Sequence, residues 1–306
     1  MRIPALFPVL ALCAVLPAAA LETDRQYGEA SFKFLKLPLA PRVVSLAGAG
    51  AALANDAGAL DLNPAAGASD SGHLVLGKGY PFSEFQGNSS HITWSIPLAS
   101  GYRVLLNARY LGFDDIEGWG ERDDSTSAYG AHSMKLQAGL AGSFGKVMWG
   151  ATVNYAGNGI ASANYTTGMI NLGLRYELLP GLMAGASAVN ADFYDSKAMV
   201  AGNPDPFPPT AVQAGLAYTR GFGADWQVSL AADARARNDE DLAWPMGLEV
   251  GWRQMLFARA GFPVGEQEPG LAAGLGLRWS LFQFSYAFQS HATLGPGHFW
   301  SLDLAI

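Results

Sequence analysis

The chain has 306 residues, of which only 15% are charged where an average soluble domain carries ~25%; half are apolar and 37 are glycine. That mix is too apolar for a disordered chain and too rich in glycine for a helical bundle. The net charge of −7, from 19 basic and 26 acidic side chains, supplies no basic field for a phosphate backbone and argues against nucleic acid as a partner.

Residues 1–20 read as an export signal. Arg2 gives one positive charge, Ile3 to Leu21 carries none, and Ala18-Ala19-Ala20 offers small residues for cleavage between Ala20 and Leu21. The only cysteine, Cys13, lies inside this stretch. A lipoprotein reading would place Leu12 before it, where a small residue is required. An exported chain that uses no disulfides suits the bacterial envelope.

Residues 21–70 show no strand alternation. They carry Phe34-Leu35-Lys36-Leu37-Pro38, then Arg42, the small-residue run Ala47-Gly48-Ala49-Gly50, and Asn63-Pro64-Ala65. A phosphate-cradling Gly-x-Gly-x-x-Gly is ruled out because Leu53 stands where the third glycine belongs. This segment is expected to form a plug. Its Arg42, once buried, needs a carboxylate such as Glu249.

From residue 71 onward the dominant period is two. The longest charge-free stretch, 147–174, is long enough for a spanning helix, but Val147, Trp149, Ala151, Val153 and Tyr155 alternate with small or polar residues. It reads as a hairpin turning at Ala156-Gly157-Asn158-Gly159. Fourteen such strands are expected, near 72–80, 90–97, 101–111, 132–143, 146–156, 165–177, 182–190, 210–219, 226–235, 245–253, 255–262, 271–279, 281–288 and 298–306. Connections after odd strands are long, with 112–131 and 191–209 the largest, and those after even strands are tight. Aromatic residues gather at strand ends. Both features fit a transmembrane antiparallel β-barrel of the outer membrane with both termini periplasmic; a soluble β-sandwich is the competing reading. The expected division is therefore signal 1–20, plug 21–70 and barrel 71–306. A charge at Val153 should be poorly tolerated, and one at Thr152 or Asn154 more easily.

The inward faces carry Arg103, Arg109, Lys135, Arg175, Arg235, Arg253, Arg259 and Arg278 against Glu177, Asp233, Glu249 and Asp303. Either these pair with one another and with the plug, or they line an anion-preferring passage. The five histidines have no metal-ligand spacing, and the acidic stretch 114–124 lacks the order of a calcium loop. No catalytic constellation stands out, so no enzyme, metal or cofactor is expected.

In its plug motif (Pro38, Arg42, Gly48, Asn63, Pro64) and in its C-terminal fifth (Phe257-Ala258-Arg259-Ala260-Gly261-Phe262, Gly274-Leu275-Gly276-Leu277-Arg278, Phe284-Ser285-Tyr286-Ala287, Gly297-His298), the chain resembles the PorV/PorQ family. These are FadL-like outer-membrane barrels of the type IX secretion system, and the late histidine looks more like the PorQ branch. The chain departs from the family at Pro41 and Ala47, where alanine and glycine are usual. The resemblance implies a membrane anchor and docking site for protein partners in a type IX cargo attachment complex. The stiff segment Asn203-Pro204-Asp205-Pro206-Phe207-Pro208-Pro209 would be the partner loop. The alternatives are a FadL-like transporter of hydrophobic compounds and a barrel anchoring some other surface complex.

Overall fold

The computed structural model describes residues 28, 30–53, 57–68, 71–85, 87–98, 101–119, 125–161, 163–198, 207–266 and 270–306. The described residues form fourteen strands in one closed antiparallel barrel, in which every strand pairs with its chain neighbours and the first with the last. They are β1 (His73–Tyr80), β2 (Asn88–Pro97), β3 (Tyr102–Trp119), β4 (Ser125–Phe144), β5 (Val147–Ile160), β6 (Ala163–Leu179), β7 (Leu182–Ala198), β8 (Ala211–Phe222), β9 (Trp226–Arg237), β10 (Trp244–Trp252), β11 (Leu256–Val264), β12 (Ala272–Trp279), β13 (Phe282–Gln289) and β14 (Gly297–Ala305). At the tight-turn end, Gly72 and Ile306 exchange backbone hydrogen bonds of 3.2 and 2.9 Å, so closure leaves no edge there.

The alternation has the expected cause. Val153 is 55% exposed while Thr152 and Asn154 are 2% and 5% exposed. Most strand leucines face outward, as Leu106, Leu136, Leu172 and Leu230 do, and polar groups are packed inside among small alanines. Outward aromatics mark both ends: Tyr102, Trp226 and Trp252 near the tight turns, Tyr80, Tyr110 and Trp244 near the long loops. An apolar outer band between aromatic belts is what a wall facing hydrocarbon requires.

Three expectations about connections are corrected. The 112–131 connection is largely strand, since β3 and β4 continue their ladder to Trp119 and Ser125 with bulges near Ile116. Gly157, Asn158 and Gly159 do not turn the chain; they pair with Thr166, Tyr165 and Asn164, and the turn comes at Ala161. β7 runs on to Ala198, well into the expected 191–209 loop. None of these extensions contains a proline, so nothing removes a ladder donor. Residues 120–124 of the acidic stretch lie outside the described residues.

One seam of the wall is irregular. The β6–β7 ladder slips between Thr166 and Gly168 and again between Ile170 and Leu172. The β7–β8 ladder stops at Val189–Ala211, although β7 continues. Pro208 and Pro209 have no N–H to extend β8 backward. Asn190, at φ 57°, takes up the left-handed kink that asparagine tolerates. Its side chain and carbonyl replace the missing ladder, donating to Pro209 O at 3.3 Å and accepting from Thr210 Oγ1 at 2.9 Å.

Candidate functional site

The N-terminal segment occupies the lumen. Residues 30–37 cross the barrel near its long-loop end, where Phe32 and Phe34 pack against Leu111, Ala156 and Met169 of three different strands. Pro38 then leads into α1 (Pro41–Ser45), with proline at its first turn where a missing N–H costs nothing. Short 3-10 turns follow at Ala57–Asp61 and Pro64–Gly67. Asn63 holds the second of these in place: its Oδ1 accepts from Ala65 N at 2.9 Å, and its Nδ2 donates to Ala51 O at 2.7 Å. The Asn-Pro-Ala signature is therefore a cap and a tie within the segment.

Inward glycines make the seats. A side chain at Gly247 or Gly261 would strike Leu46, at Gly274 Ser45, at Gly185 Ala51, at Gly150 Pro64, and at Gly173 Asn63 and Pro64. The seats lie on six strands, and the backbone of Leu46 and Ala47, where the small run begins, lies against the one at Gly261. Each glycine sits at an inward position of its strand, a pattern that the sequence carries but whose purpose needs the segment in place. Gly173→Ala should cost about 1–3 kcal/mol by overpacking against Asn63 and Pro64. Gly157→Ala, whose nearest neighbour would be 3.7 Å away, should be tolerated. Thermal unfolding of the two variants in detergent checks this, and equal stability would show that the seats are not close-packed.

Charges bolt the segment to the wall at several places; at one, Arg175 of β6 donates to the carbonyls of Ala52 and Ala65 at 3.4 Å. Arg42 makes a two-toothed contact with Glu249, both bonds 2.9 Å, and Glu249 also accepts from Arg259 at 2.6 Å. Asp61 pairs with Arg109 at 2.9 Å and with Lys135, while the Arg109 guanidinium also caps the carbonyls of Phe34 and Leu37. Burial pushes the Asp61 carboxyl upward, but the two cations prevail and hold it well below the usual carboxylate range. Asp233 accepts from the backbone of Gly50 and Ala51 and from Gln213 Nε2, at 2.7, 2.9 and 2.6 Å. A further contact is a latch at the loop end. Lys36 Nζ lies 2.6 Å from Asp239 and 2.8 Å from Glu240, and Arg237 meets Glu240 at 2.6 Å. Burial raises the Glu240 carboxyl, and Arg237 with Lys36 brings it down to about 2.

Not every inward charge expected from alternation is inside. Arg253 lies in an exposed turn beside Asp225, 2.9 Å away; Arg278 is exposed and bonded to Gln283; Glu177 is 3.9 Å from Lys146. All three are at the tight-turn rim. Period two gives the face of a strand but not its depth. Asp303 is inward yet also near this rim, 3.0 Å from His73.

Above the segment, at the long-loop end, lies a vestibule of about 550 Å³ lined by Phe82, His291, Leu294 and Phe299 on one side and by Arg235, Arg237, Glu240 and Glu266 on the other. Beneath it a narrow crevice of about 60 Å³ runs between the segment, largely apolar there (Leu35, Leu37, Pro38, Leu39), and a wall that presents Val189 and Ala211 beside Arg109, Gln213, Arg235 and Arg237. Pro38 thus lines both spaces. Gly48, at φ 82°, takes a conformation that favours glycine, and a side chain there would meet Arg235. Of the proposed partner loop, Phe207 is half-buried and accepts from Ser31 N at 2.9 Å, and Pro208 is buried with its carbonyl taken by Asn238. These two residues turn toward the lumen. Asn203, Pro204, Ala20 and Leu21 lie outside the described residues.

Among the described residues there is no group of three or more potential ligands that could hold a metal ion. No protein-family profile matches the chain, and no curated protein matches its sequence. Solved structures do share the fold. A monoaromatic hydrocarbon channel, CymD, superposes with a TM-score of 0.59 at 14% identity over 88% of this chain and 97% of that one. The toluene transporter TodX of Pseudomonas putida gives 0.55 at 12% identity over 92% and 97%. A FadL homologue of Pseudomonas aeruginosa gives 0.52 at 10% identity over 87% and 97%. The fold is that of FadL-like outer-membrane barrels.

Proposed function

We propose that the protein resides in a bacterial outer membrane and admits small hydrophobic compounds from the long-loop side. The observation that carries this reading is the crevice beneath the vestibule: the segment lines it largely with apolar side chains, and it reaches the wall at Val189 and Ala211, where the β7–β8 ladder stops. The bolted segment closes the way straight through, so a solute in the crevice leaves sideways into hydrocarbon. Fold neighbours named as toluene and monoaromatic hydrocarbon channels support the same class of solute. At about 60 Å³ the crevice is smaller than the ~150 Å³ cavities that accept benzene, so the Lys36 latch has to release for passage.

Whole-cell uptake of radiolabelled toluene tests this. Deleting the gene should lower uptake, the wild-type gene should restore it, and Lys36→Ala should raise it several-fold above wild type by removing both latch contacts.

A second reading is favoured by the ion pairs that bolt the lumen shut: a membrane anchor that docks protein partners of a type IX cargo attachment complex. Normal toluene uptake in the deletion strain, together with cargo proteins left unanchored, would replace the first reading with this one.

A further inference from the structure

One stretch of the outer wall breaks the apolar pattern. In a single row near the long-loop end, the outward residues of β13, β14, β1, β2 and β3 are Tyr286, Trp300, Lys78, Ser90 and Tyr110, each the ladder partner of the next. One step nearer the loops stand Phe288, His298 and Tyr80, again partners, with Asn88 on β2. Aromatic belts lie at the depth of lipid headgroups. Lys78 and Ser90 therefore open a polar gap in that belt at headgroup depth.

The groups around the gap are held in position. Lys78 Nζ is 3.2 Å from Asn88 Oδ1 and 5.7 Å from the centre of the Tyr80 ring. Tyr80 meets Trp300 edge-on at 5.9 Å, and His298, Tyr286 and Trp300 form a triangle of rings, His298 6.2 Å from each of the other two and these 5.7 Å apart. The Tyr286 hydroxyl lies 2.9 Å from His298 Nδ1, which leaves Nε2 as the ring's remaining polar atom. Among the described residues no carboxylate pairs with Lys78, whereas the lumen cations Arg42, Arg109, Lys135, Arg235 and Arg259 all have one. A lysine on a lipid-facing wall of an acidic protein is unfavourable unless its ammonium reaches an anion or water.

We propose that Lys78, with Asn88, Ser90 and His298, binds the phosphate of a phosphorylated glycolipid in the leaflet that faces the long loops, and that Tyr80 and Trp300 cover its sugar. The charge supplies attraction, the amide, hydroxyl and imidazole supply further hydrogen bonds, and the rings give an apolar platform at the right depth. This assignment does not depend on what passes through the lumen.

Native mass spectrometry of the full barrel in detergent, with bisphosphorylated lipid A or its dephosphorylated counterpart added, reads the site directly. The phosphorylated lipid should be retained in preference. Its retained fraction should fall about fivefold or more in Lys78→Gln, and stay near wild type in Lys78→Arg and in Arg220→Gln, an outward cation at the opposite rim. Heat-modifiable gel migration establishes that each variant is folded. Equal retention of the two lipids by the wild type, or unchanged retention by a folded Lys78→Gln, would overturn the assignment.

Discussion

Replacing Glu249 by alanine should unlock the N-terminal segment while the barrel wall stays folded. Glu249 accepts from both Arg42 of the segment and Arg259 of the neighbouring strand, and the Arg259 and Glu249 side chains are only 2% and 9% exposed. Its loss removes the carboxylate that both guanidinium groups share in a packed lumen. Removing one partner of a buried ion pair costs about 3–5 kcal/mol, chiefly through the charge left behind. The wall is held by its own ladder and loses little. A reporter thiol at Ser45→Cys, at a fully buried position beside Arg42, should be labelled roughly a hundredfold faster or more in the Glu249→Ala background. Arg42→Ala should have a smaller effect, since Glu249 then keeps Arg259 at 2.6 Å. Equal labelling rates with and without Glu249 would mean that the glycine seats and the remaining charged contacts retain the segment without it.

The readable part of this molecule is what a two-residue period controls. One face of each strand meets hydrocarbon and the other meets a packed interior, so Val153 and Thr152 are told apart by chemistry alone. Arg42 was open to inference for a related reason: a cation in a segment without alternation must find a carboxylate when buried, and Glu249 stood on an inward face. Depth is different. Arg253 and Arg278 share the inward period of their strands yet end at the rim, because the pattern does not say where hydrocarbon stops. Contacts remote in the chain were also hidden. Asp61 is unremarkable until Arg109 and Lys135 converge on it, and Lys36 gives no hint of Asp239 some two hundred residues away. Gly173 and Gly247 look like weak strand residues until the backbone that fills their missing side chains is present. Phe207 and Pro208 resemble an outward contact surface by stiffness alone, and their inward turn depends on Ser31 and Asn238.

Adjacent arginines at Val153 and Thr152 should both destabilise the protein, by separate mechanisms that one pair of measurements can resolve. At Val153 the new charge enters the hydrocarbon band, at a cost of about 2–4 kcal/mol near the midplane, and the segment inside is untouched. Thr152 was expected to be the milder site because it faces the lumen. The lumen there is not open. Thr152 Oγ1 accepts from Gln137 at 2.8 Å, and Asn154 next to it donates to the carbonyl of Met169. An arginine at position 152 has to displace these groups and press on the segment seated two residues away at Gly150, an overpacking cost of about 1–3 kcal/mol. Val153→Arg should therefore reduce the yield of folded barrel in lipid vesicles without changing the labelling of Ser45→Cys. Thr152→Arg should insert nearly normally and label Ser45→Cys faster. If position 152 left that thiol as protected as in wild type, the interior would have room to spare, and the case for a closed lumen with a side exit would fail with it.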